Sequence, residues 1–321
     1  MSSKIVFAEI SAIRLIAMML IISCHVLQYY NLELAWWFNV GVQVFLVISG
    51  FLYGTKEIEK PIEWLGKRFK KILFPYYLLL VCYIIICLLC SIKMPFVEIF
   101  KALFCLGNLP GLSHLWFVSN ILFCYIVTPY LCEFVKKSNV RFITIVFTLI
   151  VYIIIASITN AYFRHHFICC YIIGFYIGHF YERSGRNILL IKRLTTIFAI
   201  IAFIVNGLRV IVEYIRPEYL ELIPNRIYML YSNYSHLLLG VFIFLLLFLL
   251  LKHVKNNYML NLSDKYSYDI YLTHHLFILS PFSVMSLTDS VFLNIVIALI
   301  ATIVSAVLLH EGSKLIENRQ Y

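Results

Sequence analysis

The chain has 321 residues, of which 62% are hydrophobic and 13% charged, and its formal net charge is +10. Its mean hydropathy is +0.90, whereas a soluble domain carries about a quarter of its residues charged. These values exclude a soluble enzyme, a disordered chain and a disulfide scaffold, and continuous apolar runs of about 20 residues exclude a membrane β-barrel.

What remains is an all-α polytopic membrane protein, with residues 1–321 read as a single transmembrane domain of about ten helices. The predicted spans are about 6–29, 35–55, 72–92, 114–135, 142–159, 166–181, 194–214, 231–251, 266–286 and 290–310. Each run is long enough, or nearly so, to cross ~30 Å of hydrocarbon. The first reads as a span and not as a cleaved leader, because Arg14 interrupts it and no A-x-A site follows. Segment 98–108 is apolar but too short to span, which suits an interfacial or re-entrant helix.

An ionisable group inside a span is costly and is a functional hypothesis by default. The first span holds Glu9, Arg14 and His25. Arg14 and His25 are 11 residues apart, almost three whole turns, so they share one face about 16 Å apart along the axis. A purely structural role would pair Arg14 with Glu9 and leave His25 in a helix interface. Before the third span stands the basic run Lys67-Arg68-Phe69-Lys70-Lys71, a good anchor for phosphate and equally what a cytoplasmic loop requires. Cys87 and Cys90 make a CxxC inside an apolar run with no second pair, which is packing and not metal or redox chemistry.

The fourth span opens His114-Leu115-Trp116-Phe117 and continues through Ser119 and Asn120, a pattern that an aromatic interface belt would also give. His179 and His236 lie in apolar runs and read as packing histidines. The ninth span carries Ser263, Asp269, Tyr271, Thr273, His274 and His275, so at least one histidine faces a polar interior. His310-Glu311 ends the tenth at the cytoplasmic face, where a charged pair is ordinary. No HExxH, paired CxxC, Walker loop or GxSxG appears, so no metal is expected.

With the N-terminus in the cytoplasm, 19 Lys and Arg fall on the cytoplasmic side and 6 on the other, with Arg14 in the membrane. That bias puts both termini in the cytoplasm. The net charge of +10 is therefore mostly a topology signal, and no nucleic-acid partner is implied.

Together these positions resemble the acyltransferase type 3 family of bacterial membrane proteins. Arg14 and His25 match its Arg-x10-His signature. Gly41, Val42, Phe45, Ser49, Gly50 and Phe51 match the run ending in its Ser-Gly-Phe, and Arg68, Lys71 and Pro75 match its basic pre-span run. His114–Phe117, Ile270–His274 and Glu311 match its later motifs in order. The family often has Arg-x-x-Arg where this chain has Arg68 and Lys71, and Lys keeps the charge without the planar fork.

The resemblance implies ten helices in the bacterial inner membrane that transfer an acyl group, usually acetyl, from cytoplasmic coenzyme A to a hydroxyl of a surface polysaccharide or lipid-linked glycan. It implies that Arg14, Lys67, Arg68, Lys70 and Lys71 hold the donor's phosphates. It implies that His25 acts as general base or acyl carrier, and that Ser49, His114, Asn120, Tyr271 and His274 orient His25 or the acceptor. The chain ends eleven residues after its last predicted span, leaving no room for the SGNH domain of some members. The expected form is a standalone enzyme, acting alone or handing acetyl to a separate protein. The alternative is a transporter or flippase of a lipid-linked glycan, which would show internal repeats or paired Gly and Pro breaks that this chain lacks.

Overall fold

The computed structural model describes residues 8–107, 109–137 and 165–318. Among them the chain forms eleven α-helices and no strand: α1 (Ala8–Tyr29), α2 (Ala35–Phe38), α3 (Val40–Gly54), α4 (Pro61–Leu89), α5 (Phe96–Leu103), α6 (Trp116–Lys137), α7 (His165–Arg183), α8 (Ile188–Val210), α9 (Asn225–Leu250), α10 (Tyr258–Ile278) and α11 (Val291–Asn318).

Among the described residues, seven stretches are long and apolar enough to cross a membrane: Ala8–Tyr29, Ala35–Gly54, Pro61–Leu89, Ser113–Lys136, Ile188–Ile215, Asn225–Leu250 and Val291–Glu317. The protein is an all-α, multi-pass membrane protein, since helices satisfy every backbone polar group where no water can. The sixth and ninth predicted spans fall on α7 and α10, of 19 and 21 residues. Both are helical but too polar to pass as lipid-facing spans. α7 carries His165, His166 and His179, and α10 carries Asp264, Lys265 and Asp269. α7 is buried along most of Phe167–Tyr181, and a helix wrapped by protein needs no apolar exterior. Ten is thus an approximate count. The fifth predicted span, 142–159, lies outside the described residues.

Two boundaries differ from expectation. α4 starts at Pro61, well before 72, so the basic run is helical and not part of a loop. Proline suits the first helical position because its missing N–H would be unpaired there anyway. α10 stops at Ile278, short of 286. Pro281 cannot extend it, and Ser280 Oγ accepts from the Phe282 N–H at 2.9 Å, turning the chain.

The helices form two compact units, each built from segments distant in sequence. The first comprises Met1–Ile21, Asn39–Glu57 and Leu131–Leu260. Its centre is a glycine interface between α3 and α7. A Cβ at Gly50 or Gly54 would overlap the Tyr171 or Phe175 carbonyl, and one at Gly174 or Gly178 would overlap the Val47 or Phe51 carbonyl. Two small-xxx-small rows therefore lock backbone to backbone. Phe51 is fully buried between Phe244 and Phe248 of α9 and Tyr181 of α7, at ring separations of 5.3–5.7 Å. Nearby, the Gln43 side-chain oxygen accepts from His236 Nδ1 at 2.8 Å, and its NH2 donates to the Asn39 carbonyl at 2.9 Å. At the far end of α8, Arg209 pairs with Glu213 at 2.6 Å in a π-helical turn, Ile211–Ile215, and Tyr228 donates to the same carboxylate.

The second unit comprises Ile22–Phe38, Ile58–Tyr130 and Asn261–Tyr321. Ile278, Met285 and Ala298 centre an apolar cluster joined by Ile22, Val26 and Tyr29 of α1. Three tyrosines of α4 hold α5 and the strand of loop after it. Tyr76 donates to the Ala102 carbonyl at 2.6 Å, Tyr77 to Leu103 at 2.8 Å, and Tyr83 to Pro110. α5 leaves Phe96, Val97, Phe100 and Leu103 exposed, an uncovered apolar face.

Candidate active site

The second unit gathers four histidines. His25 comes from α1, His114 from a 3₁₀ turn (Ser113–Leu115) that leads into α6, and His274 and His275 from α10. The His25 ring lies 5.1 Å from His274 and 4.8 Å from His275, centroid to centroid. His114 stacks on His275 at 4.5 Å and meets His274 edge-on at 5.1 Å. His114, His274 and His275 are buried, whereas His25 is half-buried.

Each ring has one nitrogen held by a carbonyl oxygen. His25 Nδ1 donates to the Gln28 side-chain oxygen at 2.7 Å, and His274 Nδ1 to the Tyr271 carbonyl at 2.6 Å. His275 Nδ1 donates to the Gly111 carbonyl at 2.6 Å, and His114 Nε2 to the Leu272 carbonyl at 3.1 Å. A carbonyl can only accept, so each of these nitrogens carries the proton. In the neutral ring the other nitrogen then keeps its lone pair: Nε2 of His25, His274 and His275, and Nδ1 of His114. The lone-pair nitrogens of His114 and His274 are buried without a partner. The site thus presents bare ring nitrogens, the form a general base or nucleophile requires.

Local sequence explains the arrangement. Gln28 follows His25 by three residues, on the same helix face. Gly111 has φ +73°, a left-handed conformation that side chains disfavour, and a Cβ there would overlap Ser280. Its carbonyl is thereby delivered to His275. Tyr271 donates to the His114 carbonyl at 2.6 Å, fixing the 3₁₀ turn to α10. Asn120, fully buried one turn into α6, donates to the Trp116 carbonyl at 3.0 Å and leaves its side-chain oxygen unpartnered.

The basic run lies on α4 in the same unit. Lys67 is tied to Glu63 at 2.7 Å on the exposed face. Arg68 is half-buried over the Trp64 ring at 5.8 Å, and Lys70 and Lys71 are exposed. Arg14 is half-buried on the part of α1 that belongs to the first unit, as is all of α3 with Ser49. The Ser49 hydroxyl donates to the Phe45 carbonyl of its own helix at 2.9 Å.

The structure brings His25, His114 and His274 together and adds His275 and Gln28, to which sequence reasoning gave no role. The i, i+3 spacing of Gln28 from His25 was the available signal. His310 is also not a plain surface charge: its Nδ1 donates to Asp269 Oδ2 at 2.8 Å inside the unit, while exposed Glu311 pairs with Lys265 at 2.8 Å. Among the described residues, no group of three or more His, Cys, Asp or Glu is arranged to hold a metal ion.

A family model described as an acyltransferase domain, type 3, matches residues 7–311. No significant similarity to a curated protein or to a solved structure is found.

Proposed function

The chain belongs to the type 3 acyltransferase family and is a multi-pass membrane acyltransferase; from that premise we propose that it moves an acetyl group from acetyl-coenzyme A to a hydroxyl of a surface polysaccharide or lipid-linked glycan. The Lys and Arg excess of 19 to 6 supports placing both termini in the cytoplasm of a bacterial inner membrane, where coenzyme A is made. Arg14 and the run Lys67, Arg68, Lys70 and Lys71 then serve the donor's phosphates.

The observation that carries this reading is the His25 ring, held by Gln28 at Nδ1 with Nε2 bare among three further histidines. His25 Nε2 takes the proton of the acceptor hydroxyl as its oxygen attacks the thioester carbonyl carbon. The tetrahedral intermediate expels the thiolate as the C–S bond breaks. The imidazolium then returns the proton to sulfur, so ester and free coenzyme A leave and His25 is neutral again. His274 and His275 pack against the His25 ring, and His114 packs on both of them in turn. The same chemistry serves whether the acceptor is the glycan or a separate acetyl-accepting protein.

Turnover of acetyl-coenzyme A by the full-length protein in detergent, together with mass spectrometry and NMR of surface glycans with and without the gene, tests the reading. Acceptor-dependent release of coenzyme A and a loss of O-acetyl groups on deletion are expected. A protein that moves lipid-linked glycan without consuming the thioester would overturn it. Acetyl trapped on His25 with donor alone would make Nε2 a covalent carrier and not a base.

A further inference from the structure

Asp269 and His310 form a buried polar pair that the mechanism above does not use. Asp269 is 3% exposed on α10, in a protein whose helices cross a membrane. His310 of α11 donates from Nδ1 to Asp269 Oδ2 at 2.8 Å. The other carboxylate oxygen, Oδ1, is buried with no partner, and so is His310 Nε2. Thr273 Oγ1 serves the Asp269 main-chain carbonyl at 2.9 Å and leaves the carboxylate untouched. A buried carboxylate with one oxygen unsatisfied is costly, and such a group inside a membrane marks a functional path.

Its position says what it meets. Tyr268, next to Asp269, donates to the Ile72 carbonyl of α4 at 3.1 Å, beside Lys71. In the other direction, His274 follows Asp269 by five residues, about 7.5 Å along the helix axis. Along α10, Asp269 thus lies next to the residue that meets α4 beside Lys71 and between one and two turns from the imidazoles suited to a thioester. In an acyl-coenzyme A the phosphates and the thioester are joined by the pantetheine arm, which carries two secondary amides. A carboxylate oxygen repels phosphate and accepts an amide N–H.

We infer that Asp269, held in place by His310, recognises the donor's arm, its Oδ1 accepting one of the two pantetheine amide N–H groups. This rests on the reading that a coenzyme A thioester is the donor. His310 is a positioning residue: it fixes the carboxylate so that Oδ1 stays directed at the arm.

Calorimetric titration of the full-length protein in detergent tests this with three probes: coenzyme A, adenosine 3′,5′-bisphosphate, which has no arm, and coenzyme A analogues in which each arm amide N–H in turn is replaced by an ester oxygen. The wild type is expected to bind one ester analogue roughly ten- to a hundred-fold more weakly than coenzyme A. Asp269→Asn keeps an oxygen for His310 and turns an NH2 where Oδ1 was. It is expected to lose a similar factor for coenzyme A, to ignore the amide-to-ester change, and to bind adenosine 3′,5′-bisphosphate as the wild type does. Unchanged affinity for coenzyme A in a folded Asp269→Asn protein overturns the inference. If that variant does not fold, the wild type decides alone, and equal affinity for amide and both ester arms overturns it. A wild type that binds no coenzyme A sinks the donor reading as well, which separates the two failures.

Discussion

In the proposed mechanism His25 works through a single proton placement. Its Nδ1–H is committed to Gln28, so Nε2 is the nitrogen that can accept. His25→Gln retains hydrogen bonding and much of the size but cannot take a proton, and acyl transfer should fall by about 10²–10⁴-fold. Near wild-type glycan acetylation by that variant would remove His25 from the mechanism. Gln28→Met keeps the volume and deletes the acceptor, freeing the ring to change tautomer. Turnover should drop up to about tenfold, the worth of one hydrogen bond, with little change in donor affinity; a change in donor affinity alone would place Gln28 at the donor and not at His25. Ser49 makes the opposite case. Its hydroxyl is spent on its own helix, so Ser49→Ala should cost well under ~1 kcal/mol of stability and leave acyl transfer intact. Abolished transfer in a folded Ser49→Ala protein would show that the hydroxyl turns to the reaction.

Among the elements, α3 and α7 depend on absent side chains. Gly174→Ala puts a methyl into the Val47 carbonyl and should lower the detergent melting temperature, at a cost of about 1–3 kcal/mol for an overpacked site. Gly207, inside α8, has nothing within 4 Å of a built Cβ. Gly207→Ala should therefore be neutral or stabilise by about 0.5–1 kcal/mol. Equal melting shifts in the two variants would dissolve the packing argument. The Ser49-Gly50-Phe51 run thereby gains a physical meaning: Gly50 admits the Tyr171 carbonyl, and Phe51 fills the aromatic core. Hydropathy made the helices legible because lipid imposes one pattern on every span. It reached α7 and α10 as well, but it could not show that α4 begins at Pro61, since a basic helix and a basic loop look alike to the positive-inside rule. The histidines were legible as residues out of place in a membrane. Which carbonyl holds each ring was not, because Gly111 and Leu272 act through main chain, which sequence does not reveal.

On the whole-molecule scale, the Lys and Arg distribution of 19 to 6 makes a directional statement. Reporter fusions at the C-terminus should be active only in forms that work in the cytoplasm, and a C-terminal reporter active only outside would reverse the topology. The same scale explains why Asp269–His310 was hidden: their partnership links positions 41 residues apart on different helices, and no periodicity connects them.

The way the four rings are held also bears on how this protein can change over generations. Three take their orientation from main-chain carbonyls, those of Gly111, Tyr271 and Leu272. Every amino acid has that carbonyl, so replacing the Leu272 side chain erases no acceptor, and only changes that move the backbone, as at Gly111, reach the ring. His25 alone is held by a side chain, and a single codon change at Gln28 alters its partner. Inherited variation in reactivity is therefore funnelled to position 28, and the histidines around it form a background that drift can scarcely retune.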